Sequence, residues 1–188
     1  FVTRRSCPPV HDSDVSGKCR GLLEQAFSVV DNAAVDTVVI AAAWNRYVVF
    51  ESDNREKAFE DLAATIRTFV ARGIAVYLIL PTPRGEAFDP AHLVQRSIRD
   101  FGFRVRRQVD RADVVANVKE IDSRLRAIAD SAGAKVIDPV DYLCNASDCP
   151  TLANDGMPVY TDNSHLRPAF VREHVTFLDA LLLEKLPL

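Results

Sequence analysis

Two side chains near the end of the chain have the types and spacing for acid–base chemistry. Asp162 and His165 stand three residues apart in Tyr160-Thr161-Asp162-Asn163-Ser164-His165-Leu166-Arg167-Pro168. A carboxylate beside an imidazole fixes its tautomer and stabilises its protonated form, so the ring can work as a general base toward a hydroxyl. Asp162, Asn163 and Ser164 also form turns and caps, and Pro168 suits the first turn of a helix, where its missing N–H is not needed. The motif therefore reads as a polar turn anchored by a following helix. Asp-x-x-His is a short pattern, and its rival reading is a capped turn with a surface histidine.

The elements that would position this turn alternate between two periods. After Cys19, apolar residues from Leu22 to Val30 recur at helical spacing, and Asp31-Asn32 ends that run. Val35 to Ala43 is nearly unbroken apolar sequence, as in a parallel strand covered on both faces, and it leads into Trp44-Asn45-Arg46-Tyr47. Asp53-Asn54 is placed to cap a helix carrying Phe59, Leu62, Ile66 and Phe69, with Gly73 at its left-handed end. Ile74 to Leu80 reads as a second strand, stopped by Pro81-Thr82-Pro83. Residues 84–111 are polar and carry no clean period, which predicts an excursion with a short helix near 90–100. Val114 to Ile128 marks an amphipathic helix ended by Gly133, and Lys135 to Val140 a third strand. A long loop over 141–161 and a terminal helix from Phe170 to Leu186 complete the chain. Strands alternating with helices mean βαβ units and a parallel sheet between helix layers. The absence of an internal linker predicts a single domain over 1–188. In such sheets, sites form at the C-terminal ends of strands. That points to Trp44–Tyr47, Pro81–Pro83 and the loop running on to His165.

Composition narrows the functional class. The 188 residues carry 23 basic and 26 acidic side chains, a net charge of −3, which leaves no electrostatic footprint for nucleic acid. No apolar run is long enough to span a membrane. The chain does not begin with Met and shows no leader, so it reads as a piece of a longer protein with any targeting or membrane segment outside it. Four cysteines fall into two local pairs, Cys7 with Cys19 and Cys144 with Cys149, all in loops. The even count predicts two disulfides and an oxidising compartment, against a four-cysteine zinc site or free thiols. Neither pair has the short spacing of a zinc knuckle. His11, His92 and His174 read as exposed or incidental and form no metal cluster. Asp138 reads as a strand-end turn residue.

The order of these features resembles an SGNH (GDSL-like) hydrolase domain. More narrowly, it resembles the extracytoplasmic SGNH domain fused to family 3 membrane acyltransferases, which O-acylate cell-surface glycans. The resemblance rests on Cys7-Pro8-Pro9 with Cys19, on Val38-Val39-Ile40-Ala41-Ala42-Ala43-Trp44 with Tyr47, and on the strand ending in Pro81-Thr82-Pro83. Cys144, Cys149 and the closing Tyr160-x-Asp162-x-x-His165-Leu166 complete it. It implies a three-layer α/β/α sandwich with a mainly parallel, flavodoxin-like sheet. It also implies a bacterial, extracytoplasmic domain attached to a membrane acyltransferase domain of the same full-length chain.

By the same resemblance His165 would be the general base and Asp162 its orienting partner, with no metal or organic cofactor. The nucleophilic Ser of the family lies in a Gly-Asp-Ser block, and the 188 residues contain none. That block, with the first strand and helix, is expected before Phe1. Ser6 matches the family's Ser-Cys-Pro loop instead, and Ser164 is too close in sequence to His165 to be its attacking group. The usual oxyanion asparagine corresponds to the departing sequence Trp44-Asn45-Arg46-Tyr47, so Asn45 is the candidate donor and Trp44 a candidate site-lining ring. The resulting expectation is an O-acyltransferase or esterase acting on an acyl, most simply acetyl, group at glycan hydroxyls. Two alternatives stay open: a non-catalytic glycan-binding or scaffolding domain of this fold, and an unrelated α/β binding module in which Asp-x-x-His is coincidence.

Overall fold

A computed structural model describes residues 21–45, 52–97, 102–179 and 181. The contacts divide the chain into two compact units, one of Phe1–Pro81 with Glu120–Ile137 and one of Thr82–Lys119 with Asp138–Leu188. Cys7, Cys19 and His11 lie outside the described residues.

The first unit holds the parallel sheet. Strands β1 (Thr37–Ile40) and β2 (Ala75–Ile79) and the later β6 (Lys135–Ile137) lie in the order β1-β2-β6, all parallel. Val38 pairs with Val76, Ile40 with Leu78, and Leu78 in turn with Val136. The β-branched run chosen by sequence is thus a strand of the parallel sheet, but not one covered on both faces: Ile40 is buried, Thr37 and Val38 are half-buried, and Val39 is exposed. Helices α1 (Leu22–Asn32) and α2 (Ser52–Ala71) belong to this unit, as does the C-terminal part of α4 (Arg111–Ala132). Phe27 of α1 stacks on Phe69 of α2 at 4.8 Å between ring centres, with the Arg72 guanidinium over Phe27. On α2 and α4, Leu62, Ile66 and Leu125 are fully buried.

Several boundaries differ from the expectation. β1 spans four residues rather than Val35 to Ala43, because its partner β2 offers ladder positions only from Ala75 to Leu78. Asp53-Asn54 fall inside the first turn of α2, not ahead of it. The third strand stops at Ile137, since Pro139 has no N–H for the ladder. The Asp138 carboxylate then takes the amide of Val140 at 2.9 Å and starts the short helix α5 (Val140–Leu143).

The second unit is built around Phe88, Val114, Val140, Leu143, Cys149, Val159, Tyr160 and Phe170. Its segment 84–111 is more regular than its sequence suggests. A 3₁₀ turn (Glu86–Phe88) leads to α3 (Pro90–Leu93), capped by Asp89, whose carboxylate accepts the Ala91 amide at 2.9 Å. His92 therefore sits on this helix, within the short helix expected near 90–100. Strands β3 (Val94–Ser97) and β4 (Gly102–Val105) then pair antiparallel. Strand β5 (Gln108–Asp110) pairs with β7 (Asp148–Pro150). These strands escaped the sequence reading because each is only three or four residues long, and the Phe103 and Val105 alternation of β4 sits among arginines. Cys144 and Cys149 form a disulfide across five residues, joining α5 to β7. Asn145 tightens the intervening turn, its side-chain oxygen accepting the amides of Ser147 and Asp148. Helix α6 covers only Pro168–His174. β-Branched Val175 and Thr176 follow it, and Val175 is extended, so the apolar pattern past Phe170 does not propagate as one helix.

Gly133 closes α4 with φ +82°, and an added Cβ would meet Val70 Cγ1 at 3.3 Å. Gly73 closes α2 with φ +77° and open space around it. Gly133→Ala is expected to cost about 1–2 kcal/mol. Gly73→Ala should cost less by the Val70 contact alone. Urea unfolding of the two variants beside the parent chain measures both.

Candidate functional site

The Asp162–His165 turn is the place where the structure assembles reactive groups. The two oxygens of Asp162 have separate duties. Oδ1 accepts the backbone amides of Ser164 at 2.7 Å and His165 at 2.8 Å, together with the Ser164 hydroxyl at 3.1 Å. Oδ2 faces Nδ1 of His165 at 2.8 Å. One oxygen thus closes the turn and the other orients the ring. A carboxylate acceptor selects the Nδ1–H tautomer, which leaves the Nε2 lone pair on the outer edge of the imidazole. The His165 side chain is 76% exposed, so that edge is open to an incoming group. The imidazole, and after it the amides of Ser164 and His165, hold the Asp162 carboxyl well below the usual carboxylate range. Asp162 therefore stays charged around neutral pH.

The turn is fixed from its flanks. Thr161 donates both its amide (2.8 Å) and its hydroxyl (3.1 Å) to the His165 carbonyl, and Tyr160 bridges Leu166 across the loop. The Asn163 carbonyl accepts the Gly85 amide at 2.8 Å. Tyr160 is buried, packs its ring on Phe88 at 4.9 Å between centres, and donates its hydroxyl to the Pro83 carbonyl at 2.7 Å. Burial pushes the Tyr160 phenol far above its ordinary pKa, which keeps it a donor. Downstream, Arg167 donates Nε to the Pro158 carbonyl and pairs with Asp155, while its amide bonds the Val159 carbonyl. Pro168 then opens α6. The Pro81-Thr82-Pro83 segment singled out from sequence thus supplies the acceptor that pins Tyr160.

The other candidates fare differently. Ser164 lies 3.3 Å from Nδ1, the nitrogen occupied by Asp162, and not at Nε2. That geometry removes it as the attacking hydroxyl and makes it a partner of the carboxylate. Trp44 belongs to the first unit and is 2% exposed, its indole N–H donating to the Ile79 carbonyl at 2.7 Å. Its ring has no face open for stacking a sugar, which corrects the expectation that it lines a site. Asn45, next to it, is half-buried. Asp138 acts locally at the start of α5. His174 ends α6 with its ring 4.8 Å from Phe170. Arg167, Asp155 and Thr161 were missed, and only the turn-forming character of 153–167 hinted at them. Among the described residues no group of three His, Cys, Asp or Glu could hold a metal, and no helix is long and apolar enough to cross a membrane.

An Asp-oriented histidine held in a loop ahead of α6 agrees with the resemblance read from sequence. Residues 1–177 match the model of the SGNH domain (fused to AT3 domains), and the chain belongs to that family. Its fold is accordingly α/β with a parallel sheet and helices on both sides. Among solved structures it is similar to the periplasmic domain of a lipopolysaccharide acetyltransferase from Salmonella ser. Paratyphi A. The TM-score is 0.63 at 15% identity, covering 95% of this chain and 69% of that one. No curated protein matches the chain in sequence.

Two measurements check this site. Tyr160→Phe leaves the Pro83 carbonyl without its donor and should cost about 1–3 kcal/mol in urea unfolding. The second concerns pH. Asp162 has a lowered folded pKa, so its contribution is complete above the unfolded carboxylate value of about 3.9 and is lost as pH falls through the lowered value. The thermal midpoint of the parent should therefore fall more steeply on acidification than that of Asp162→Asn, whose side chain does not titrate.

Proposed function

We propose that this chain is the base-bearing part of an SGNH-type O-acyltransferase or carbohydrate esterase, in which His165 and Asp162 activate a serine. The observation that carries the reading is the 2.8 Å contact between Asp162 Oδ2 and His165 Nδ1, which leaves Nε2 outward on an exposed ring. Membership of a family fused to AT3 domains supports acyl chemistry. The likeness to an acetyltransferase periplasmic domain supports acetyl transfer to cell-surface glycan hydroxyls outside the cytoplasm. A membrane acyltransferase domain of the same full-length protein would supply the acyl group. In this reading residues 1–188 form one SGNH-like domain.

The reaction is a double displacement. The serine oxygen attacks the acyl carbonyl while Nε2 of His165 takes its proton, and Asp162 stabilises the imidazolium. The tetrahedral intermediate collapses, Nε2–H returns the proton to the leaving oxygen, and an acyl-serine remains. A glycan hydroxyl, or water in an esterase, then gives its proton to Nε2 and attacks the acyl-serine, and as that intermediate collapses Nε2–H returns the proton to the departing serine oxygen. Asn45 is the proposed donor to the oxyanion, a role worth about 3 kcal/mol when well aimed. The serine would belong to the Gly-Asp-Ser block that the family resemblance implies, and none occurs within the 188 residues.

The test uses the coding region extended upstream through that block. The extended protein should hydrolyse an activated acetyl ester. Ser→Ala in the block should abolish the activity, and His165→Ala should lower kcat by about 10²–10⁴-fold with KM little changed. An extended protein without such a serine, or full activity in His165→Ala, overturns the triad and puts the glycan-binding reading in front.

A further inference from the structure

The β3–β4 hairpin is a surface that the acyl chemistry does not use. Its strands pair only with each other among the described residues, and an isolated two-stranded ribbon is marginal in water. Its cross-strand pairs are Val94 with Val105, Gln95 with Arg104 and Arg96 with Phe103. Paired residues share a face, and so do residues two apart along a strand. Val94, Arg96, Phe103 and Val105 therefore present one face. On it Phe103 is 74% exposed, Val94 54% and Val105 45%. A single exposed apolar side chain is ordinary, whereas three on one face of a ribbon mark a docking surface.

The charge of the same segment is one-sided. Residues 94–97 and 102–108 include Arg96, Arg104, Arg106 and Arg107 and no acidic side chain. The joining residues Ile98-Arg99-Asp100-Phe101 add no net charge. The next acid, Asp110, is committed to the Ala112 amide at 2.7 Å. The chain as a whole is acidic, at −3, so this cluster stands against the overall balance.

We propose that the β3–β4 hairpin docks on the headgroup region of a bilayer containing anionic phospholipid, with Phe103, Val94 and Val105 at the acyl boundary and Arg96 and Arg107 on lipid phosphates. An acidic protein face would complement the guanidinium groups but leave Phe103 in water. An apolar protein groove would take Phe103 and strand the charges. A membrane interface offers anionic phosphate and hydrocarbon within one side-chain length. The family's fusion to AT3 membrane domains places a bilayer beside the chain. The inference is independent of the roles of Asp162 and His165.

Flotation of the 188-residue protein with vesicles tests it. Vesicles of equal parts phosphatidylcholine and phosphatidylglycerol should carry the protein, pure phosphatidylcholine should carry far less, and molar salt should release it. Arg96→Gln and Arg107→Gln should each weaken partitioning about fivefold. Phe103→Ser should do so by a similar or larger factor, about five- to tenfold. Arg67→Gln, an exposed arginine of α2, should change little, and circular dichroism should be the same for all four variants. Equal flotation with both lipids, none with either, or unchanged binding in the hairpin variants overturns the proposal. So does a concentration-dependent dimer that Phe103→Ser abolishes, which would assign the face to a second copy of the chain.

Discussion

A buried phenol must find an acceptor, and much of the second unit follows from where Tyr160 finds one. Its hydroxyl reaches the Pro83 carbonyl, 77 residues earlier in the chain, from within an apolar cluster. An unpaired hydroxyl there would cost on the order of 1–3 kcal/mol, so the bond has essentially one allowed geometry. Fixing Tyr160 fixes the first residue of the Asp162–His165 loop, and its bridge to Leu166 fixes the other end. The loop between them is too short to wander. The exposed imidazole is thus held by a turn whose anchor, Tyr160, is hidden, which reconciles an open reactive edge with a defined orientation.

Asp162 joins folding to chemistry within a single carboxylate. Oδ1 supplies the acceptor that two backbone amides of the turn need, whether or not any reaction occurs. Oδ2 holds the ring. An aspartate at this position would be favoured by the turn alone, and a histidine three residues later is placed beside it by the same turn. The arrangement explains how a polar loop can keep a charged acid next to a base without burying either: the amides supply the stabilisation that a low-dielectric pocket would otherwise have to provide.

The parts of the molecule that were legible in sequence are those where one physical demand dominates. Val38–Ile40 and Val76–Leu78 are neighbouring rows of a parallel sheet whose Ile40, Val76 and Leu78 are buried, and apolar residues satisfy that demand. Gly73 and Gly133 mark helix ends because both adopt positive φ. Asp162 and His165 were legible because a turn and a base share one short motif. What escaped was governed by partners distant in sequence. The ends of β1 are set by β2, the anchoring of Tyr160 by Pro83, and the clamp of Arg167 by Pro158 and Asp155. The hairpin of β3 and β4 was hidden because its strands are short and set Arg96 and Arg104 among Val94, Phe103 and Val105. Trp44 misled because an aromatic at a strand end suits a binding site and a core equally well, and only the Ile79 carbonyl decides between them.

The Cys144–Cys149 bond closes a ring of few residues, and ring size governs what a cross-link can do. By chain-entropy reasoning so small a ring restrains the unfolded polymer by about 2 kcal/mol, roughly half of what a tie across a hundred residues would contribute. It leaves nearly all of the denatured chain as free as before. Its effect is that of a splint: it sets the bend between α5 and β7 and seats Cys149 in the core, 1% exposed. Exposure to reductant should then be felt first as loosened local geometry in that corner, with the parallel sheet intact, so that redox history would register in the shape of one segment long before it registered in whether the protein is folded.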